Sequence, residues 1–140
     1  MTDYKGKCLC GAVTFTVEVA KPEVGACHCS MCQTWGAGPT LMVHETKAPV
    51  VEDASQLGVY AASPWGERCF CKQCGSSLFW RMKDGSFHAV SLAALEDAND
   101  FSFHSEIFID EKPAYYSFAG ERLCMTGAEV FAAISGEAHE

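Results

Sequence analysis

The 140-residue sequence predicts a mainly β fold of antiparallel sheets with short helices, and three observations support that prediction. Val13, Phe15, Val17 and Val19 alternate with polar residues, which is typical of a half-buried strand. Turn signals separate the short apolar runs that follow, as expected for strands joined by tight loops. Nine cysteines lie in tight clusters that could join distant strands, so we expect one metal-clamped domain over residues 1–140.

The remaining elements are predicted from local patterns. Asp84-Gly85 lies between two apolar runs and predicts a hairpin. A helix is expected over residues 126–135, with Thr126 as its cap, and a first helical turn over residues 30–34, with Ser30 as its cap. The other predicted strands are 39–44, 57–61, 67–70, 77–82, 86–92 and 106–109.

Charge and hydropathy exclude several classes of partner. The net charge is −8 and no run of Lys or Arg exceeds two residues, which argues against nucleic-acid binding. No apolar stretch approaches the roughly 20 residues that span a bilayer, so no membrane association is expected. The sequence reaches Cys8 without an apolar signal core, and we therefore expect a cytoplasmic protein with reduced thiols.

The cysteine spacing favours metal binding over disulfide bonds. The number of cysteines is odd, and the partners in Cys8-Leu9-Cys10 and Cys27-His28-Cys29 are too close in sequence for unstrained bridges. Buried free cysteines are usually scattered through a sequence, whereas these occur in pairs and triplets. Metal coordination is the explanation that fits both the number and the clustering.

Two of the clusters, 8–11 and 71–75, each end in a cysteine followed by glycine. Glycine allows the turn that brings backbone N–H groups towards the sulfur atoms. Four thiolates would complete a tetrahedral zinc site that stabilises the fold and performs no chemistry, although four thiolates also suit iron. The predicted ligands of this structural site are Cys8, Cys10, Cys71 and Cys74.

The third cluster contains Cys27, Cys29 and Cys32 and predicts a second zinc site, which gives two zinc ions per chain. Three thiolates leave one coordination position open for water or a substrate thiol, as in catalytic zinc sites. Cys69 either packs in the core or supplies a further ligand, and Cys124 is expected to be a bystander.

His28 and His104 are tentative candidates for proton transfer at the open site. If residues 27–29 are extended, the His28 side chain points away from both neighbouring cysteines. The alternatives are structural: His28 hydrogen-bonded to backbone beside the site, and His104 closing the end of a strand.

Four motifs together carry a resemblance to a known family. They are Cys-x-Cys-Gly-Ala-Val at 8–13, Cys-His-Cys-Ser-x-Cys at 27–32, Phe-Cys-x-x-Cys-Gly-Ser at 70–76 and His-Ser-x-Ile-Phe at 104–108. In combination they resemble the glutathione-dependent formaldehyde-activating enzyme family, also called the CENP-V/GFA domain. The resemblance implies the Mss4-like fold and the same division of the cysteines into a structural and a reactive zinc site.

The family's reaction joins glutathione and formaldehyde into S-(hydroxymethyl)glutathione, so the resemblance implies a carbon–sulfur lyase. The alternative is a non-catalytic zinc-binding module that carries a thiol or binds a protein partner. The sequence departs from the family pattern at two places: Gln33 follows the third cysteine where members often carry basic residues, and Tyr115-Tyr116 stand where tryptophan is common.

Overall fold

The computed structural model describes residues 1–138, with side chains described up to residue 134. The chain divides into two compact units. The first unit contains Met1–Glu23 and Met42–Phe101, and the second contains Val24–Leu41 and the chain from Ser102 onward. The described part of the chain contains no helix that is both long and apolar enough to cross a membrane.

The first unit contains a small antiparallel sheet in the order β1-β2-β5. Its strands are β1 (Thr2–Lys7), β2 (Thr14–Val19) and β5 (Val50–Val51). Gly6 of β1 lies opposite Phe15 of β2. A Cβ atom on Gly6 would lie 2.3 Å from the Phe15 ring, so glycine is required for the ring to pack across the strand.

A larger antiparallel array in the first unit follows the order β4-β9-β8-β7-β6. Its strands are β4 (Thr40–Glu45), β6 (Leu57–Tyr60), β7 (Gly66–Cys71), β8 (Ser77–Met82) and β9 (His88–Ser91). Buried residues of these strands and of β2 form one core, and those of β2 alternate as period-two patterning requires. That core includes Phe15, Val17, Val43, Leu78, Phe79 and Val90.

The second unit combines three strands with two helices. The strands follow the order β11-β10-β3 and are β3 (Glu23–Cys27), β10 (Ser102–Ile107) and β11 (Leu123–Met125). β10 and β11 are parallel, and the helices are α1 (Ser30–Gly36) and α2 (Gly127–Ala138). The short α1 begins directly after β3, which places the start of a helix within the three-cysteine cluster.

The predicted mainly β class is confirmed, and several elements match their predicted bounds closely. β8 coincides with the predicted strand 77–82, and Gly85 takes the left-handed conformation (φ 79°) in the predicted hairpin. Thr126 caps α2 as expected: its hydroxyl accepts from the Glu129 amide, and the Glu129 carboxylate accepts from the Thr126 amide.

Two local predictions are corrected. Ser30 is the first residue of α1 rather than its cap; Cys29 is the cap, because its backbone is extended and its sulfur accepts a hydrogen bond from the Cys32 amide. The last predicted strand, 106–109, was placed too late: β10 ends at Ile107, because Phe108 adopts a left-handed conformation (φ 56°) that cannot continue a strand.

Candidate functional site

The four-cysteine cluster lies in the first unit, where two turns bring the sulfur atoms together. The sulfur atoms of Cys8, Cys10, Cys71 and Cys74 all lie within 4.8 Å of one another. The Cys8–Cys10 and Cys10–Cys71 sulfur distances are both 3.7 Å. Four thiolates at 2.3 Å from a tetrahedral zinc would be about 3.8 Å apart, so the spacing fits a zinc ion.

Each of the two turns of this cluster ends in a left-handed glycine. Gly11 donates to the Cys8 carbonyl and Gly75 donates to the Cys71 carbonyl, and both glycines are left-handed, with φ of 81° and 79°. L-residues with a Cβ rarely adopt this conformation, which explains the glycine after each pair. The predicted role of glycine in shaping the turns is therefore visible in the backbone.

Hydrogen bonds to the sulfur atoms favour the thiolate at parts of this cluster. The amide of Val13 donates to the Cys8 sulfur at 3.2 Å, and the Ser76 hydroxyl lies 3.1 Å from the Cys74 sulfur. Hydrogen bonds from the Ser76 side chain and backbone lower the pKa of Cys74 to about 5. A metal-binding cysteine must be deprotonated, and these hydrogen bonds favour the deprotonated form of Cys74.

Other thiols of the cluster oppose this ionisation. The pKa of Cys10 is raised to about 11: its backbone hydrogen bond with Ala12 favours the thiolate, but burial and the neighbouring cysteines outweigh it. A dense group of sulfur atoms therefore does not ionise completely by itself. A bound cation would supply the missing charge, so the donor set fits a metal ion that neutralises several thiolates.

The three-cysteine cluster lies in the second unit, at the junction of β3 and α1. The sulfur atoms of Cys27, Cys29 and Cys32 lie within 4.8 Å of one another, and no fourth His, Cys, Asp or Glu of the described chain joins the group. Cys27 ends β3, Cys29 caps α1, and Cys32 lies in the first turn of α1. The helix start orients a backbone N–H towards sulfur, with Cys32 N 3.3 Å from the Cys29 sulfur.

Mutual hydrogen bonding also raises the pKa of Cys27 far above its ordinary range. The causes are hydrogen bonds with the thiols of Cys29 and Cys32, followed by burial. Three such thiols ionise together only if a cation compensates their charge. The donor set therefore fits a metal ion held by three sulfur atoms.

His28 lies between two of these cysteines but joins neither sulfur. Its side chain is completely buried, and both ring nitrogens have side-chain partners. Nε2 lies 2.8 Å from Oε1 of Glu106, and Nδ1 lies 2.7 Å from the hydroxyl of Tyr116. The structural alternative expected backbone partners for this ring; the structure instead places it between an acid and a phenol.

Glu106 connects the histidine to a buried arginine. Its second oxygen accepts from Nη1 of Arg122 at 2.6 Å, while Nη2 of Arg122 donates to the carbonyl of Ala119. The guanidinium also stacks on Phe103, with 3.9 Å between its central carbon and the ring centroid. Burial raises the pKa of Glu106, but hydrogen bonds from Arg122 and His28 outweigh it, so the pKa is below its ordinary value and the group is a carboxylate.

Tyr116 is held at its hydroxyl, its ring and its backbone carbonyl. Nε2 of Gln33 donates to its hydroxyl at 2.5 Å. Lys112 lies over the ring at 5.0 Å from the centroid and also donates to the carbonyl of Tyr116, which fixes the loop that carries it. The loop is therefore organised around one tyrosine hydroxyl.

The other sequence candidates are placed apart from these contacts. His104 is exposed on β10. Cys69 is fully buried in the core of the first unit, where burial raises its pKa to about 11, and it belongs to neither sulfur group. Cys124 is exposed, with its sulfur 4.0 Å from Glu106. All nine cysteines are free.

Sequence reasoning did not identify Glu106, Tyr116 or Gln33 as site residues. Glu106 and Tyr116 are 78 and 88 residues from His28 in sequence. The spacing of residues along the sequence does not indicate these contacts with His28, because strand pairing and a loop bring the residues together. The one available signal was Gln33 and Tyr116 themselves, which stand at the two positions where the sequence departs from the family pattern and which bond to one another.

Comparisons with known proteins agree with this geometry. A family model described as glutathione-dependent formaldehyde-activating enzyme matches residues 3–111. An uncharacterized lyase of Schizosaccharomyces pombe is 31% identical over 135 residues, which cover 96% of this chain and 98% of the relative. A protein of Halomonas elongata named "Putative glutathione-dependent formaldehyde-activating enzyme" is 34% identical over 85 residues, or 54% of each chain.

A solved structure supports the fold. The crystal structure of a Rhodobacter sphaeroides protein, 25% identical in sequence, superimposes with a TM-score of 0.59. The match covers 69% of this chain and 91% of the other. The family model spans most of the chain and includes every cysteine of both sulfur groups, and the strands fit the Mss4-like β fold. The chain belongs to the glutathione-dependent formaldehyde-activating enzyme family.

Proposed function

We propose that the protein is a zinc-dependent carbon–sulfur lyase that forms and cleaves the adduct of formaldehyde with glutathione or another small thiol. The observation that carries this proposal is the group of three cysteines without a fourth protein ligand among the described residues. A four-coordinate zinc held there would keep one position for a substrate thiol. Family membership and the lyase name of the yeast relative point to the same class of reaction.

The bound zinc would supply one chemical contribution: it would lower the pKa of a substrate thiol so that the thiolate exists at neutral pH. Cys27, Cys29 and Cys32 would hold the ion, and the first turn of α1 would help to keep Cys29 ionised through the Cys32 amide. The four-cysteine cluster would hold a second zinc with no open position and act in folding alone.

The basic side chains of the second unit help to decide which thiol could be the substrate. Its Lys and Arg residues are Lys112 and Arg122, and both have internal partners. Lys112 donates to Ser117 and to two carbonyls, while Arg122 is paired with Glu106 and Ala119. The carboxylates of glutathione would therefore need other donors, so an uncharged small thiol belongs in the test beside glutathione.

The test follows adduct formation by NMR exchange spectroscopy. Zinc-loaded protein is mixed with formaldehyde and either glutathione or 2-mercaptoethanol, and the rate is compared with that of the spontaneous reaction. We expect acceleration that is lost in Cys29→Ser and retained in Cys124→Ser, which makes the same chemical change at an exposed cysteine outside both clusters.

Two outcomes would contradict this proposal. Acceleration that survives in Cys29→Ser would show that the three-cysteine site is not the reaction centre. Absence of acceleration with both thiols, together with calorimetric binding of a thiol, would instead indicate a thiol carrier of the same fold.

We also propose that the protein works in the cytoplasm, because nine free cysteines require a reducing compartment.

A further inference from the structure

Two hydrogen bonds join the end of β10 and the turn after it to the segment that carries the three cysteines. The backbone amide of His28 donates to the carbonyl of Ile107 at 3.0 Å. The backbone amide of Ser30 donates to Oε1 of Glu111 at 2.8 Å. Glu111 is the last residue of a short 3₁₀ turn, Ile109–Glu111, that follows β10. These contacts fix one carboxylate beside the start of α1.

Covalent geometry limits the distance between this carboxylate and the sulfur of Cys29. The Ser30 nitrogen is four bonds from that sulfur, so the two atoms lie within about 5 Å of one another. With the 2.8 Å hydrogen bond added, Oε1 of Glu111 lies no more than about 8 Å from the sulfur. Both acceptors lie at the same end of α1, because the sulfur accepts from the Cys32 amide and the carboxylate from the Ser30 amide. Glu111 is therefore a close neighbour of the three-cysteine group.

The carboxylate of Glu111 is held in place but keeps a free oxygen. Oε1 accepts from Ser30, whereas Oε2 has no hydrogen-bond or ion-pair partner among the residues that the structure describes. The side chain is exposed. A fixed carboxylate with one free oxygen can attract a positively charged group of a ligand and accept its hydrogen bonds.

No positive side chain in the described part of the second unit offsets this carboxylate. Residues 24–41, which include the three cysteines, contain no Asp, Glu, Lys or Arg. The ammonium of Lys112 is engaged by the loop 113–117, and Arg122 is paired with Glu106. A zinc ion held by three thiolates would have a net charge of about −1, so it would not offset the carboxylate either.

We propose that Glu111 is a specificity-determining residue that makes the three-cysteine site prefer cationic thiols and disfavour anionic ones. The substrate class is a small thiol with a positive charge close to its sulfur, as in an aminothiol. This inference rests on the proposed lyase function and specifies the charge of the thiol on which that function would act.

The size of the effect follows from the distance. Two opposite unit charges about 8 Å apart attract strongly enough in bulk water to change a dissociation constant about 2-fold, and more strongly where water is excluded. Reversing the charge of the ligand reverses the sign of the effect, so the preference for a cation over an anion should change about 5-fold. A charge two carbons from sulfur lies about 4 Å from it, which gives a thiol bound at the cysteines the reach to approach Glu111.

The test uses three small thiols that are positive, neutral and negative: thiocholine, 2-mercaptoethanol and 3-mercaptopropionate. The quaternary ammonium of thiocholine neither coordinates zinc nor condenses with formaldehyde. Glu111→Gln removes the charge, while its amide oxygen can still accept from Ser30. Glu121→Gln makes the same change in net charge at another exposed carboxylate of the second unit.

Binding is measured by calorimetry in zinc-loaded wild type and both variants, at an ionic strength of about 0.01 M, where charges are screened only over about 30 Å. Each thiol is compared between proteins, so differences in its own affinity for zinc cancel. We expect the ratio of the Kd of 3-mercaptopropionate to that of thiocholine to fall about 5-fold in Glu111→Gln. The Kd of 2-mercaptoethanol should stay unchanged, and Glu121→Gln should behave as wild type.

Salt dependence gives a second readout. At an ionic strength of about 1 M the screening length is about 3 Å, so the ratios of wild type and Glu111→Gln should converge. A difference that persists in high salt would contradict a charge effect and overturn the inference. Zinc content is measured in all three proteins, and loss of zinc in Glu111→Gln would also overturn it, because the carboxylate would then be structural.

The remaining outcomes separate this inference from the proposed function. If 2-mercaptoethanol binds and wild-type protein accelerates adduct formation with it, an unchanged ratio in Glu111→Gln overturns the inference and leaves the lyase function standing. An equal fall in Glu121→Gln would show that overall charge, rather than Glu111, sets the preference. Wild-type protein that binds none of the three thiols would refute the lyase function itself.

Discussion

At the scale of single residues, the central contact of the second unit is a carboxylate, Glu106, that accepts hydrogen bonds from two side chains. Glu106 accepts a hydrogen bond from His28 with one oxygen and a hydrogen bond from Arg122, whose guanidinium stacks on Phe103, with the other. Removing one partner of a buried charged pair costs more than the pair contributes, because the remaining charge loses its compensation. The carboxylate is therefore the residue whose replacement tests the network most directly.

We predict that Glu106→Gln lowers the free energy of unfolding by about 1.5–3 kcal/mol, because Arg122 is left buried without a counter-charge. Urea denaturation of zinc-loaded protein measures this loss. Glu121→Gln, at an exposed carboxylate, is the matched control and should change stability by less than about 0.5 kcal/mol.

The same substitution should change the response to acid. The pKa of Glu106 is below its ordinary value in the folded protein, so its stabilising contribution is full above the unfolded pKa and is lost as pH falls through the folded pKa. Unfolding curves between pH 7 and pH 3 should therefore converge for wild type and Glu106→Gln. A constant difference across this range would contradict the predicted ionisation.

At the scale of elements, sequence patterns identified the strands and helices that are determined by residues close together in sequence. β2 was predictable because its apolar residues alternate with period two, β8 because turn signals bound its apolar run, and α2 because its capping box is contiguous. β1 was not predicted: its sequence, TDYKGK, carries no alternation, and it is a strand because it pairs with β2. β3 was missed as well, since it is short and nearly continuously buried and so has no period to detect.

The candidate site likewise contains features that depend on nearby residues and features that depend on contacts between distant residues. Both sulfur groups were predictable, because their cysteines occur in close pairs or in a triplet along the sequence, and glycines mark the two turns of the four-cysteine group. The network around His28 was not, because its contacts join residues distant in sequence. The cap of α1 was assigned to the wrong residue because cysteine is not among the usual capping residues, although its sulfur can accept the same hydrogen bond.

The two turns and α1 should respond differently to the loss of a ligand. We predict that Cys74→Ser removes one zinc and lowers the unfolding temperature by at least about 10 °C, because metal binding in a closed site is folding energy. Cys29→Ser should remove the other zinc with a shift below about 4 °C, since serine is itself a good helix cap. Zinc content and calorimetric scans measure both effects.

Equal destabilisation by the two substitutions would show that the division into structural and reactive sites is wrong. Cys124→Ser serves again as the control, with two zinc ions retained and an unchanged scan. Because serine preserves the cap of α1, any large effect of Cys29→Ser would have to come from the metal rather than from the helix.

At the scale of the whole molecule, we expect the two sulfur groups to contribute unequally to metal-dependent folding. The four-cysteine group draws on residues 8–10 and 71–74, so it closes a loop of about sixty residues. The three-cysteine group draws on six consecutive residues and closes no long loop. Loop-closure entropy favours the first as the site whose occupancy stabilises the native chain.

Stepwise removal of metal should therefore separate function from folding. We predict that a mild chelator first removes about one zinc per chain, abolishing lyase activity with little change in the far-ultraviolet circular dichroism. A stronger chelator should then remove the second zinc and lower the unfolding temperature by at least about 10 °C, because ligand binding to the native state stabilises it by mass action. Restoring zinc to the once-depleted protein should recover activity fully. If the protein unfolded on losing the first ion, or if activity survived that loss, the easily removed ion would not be the one at Cys27, Cys29 and Cys32. A colourless protein at each stage would also exclude iron at the four-cysteine group.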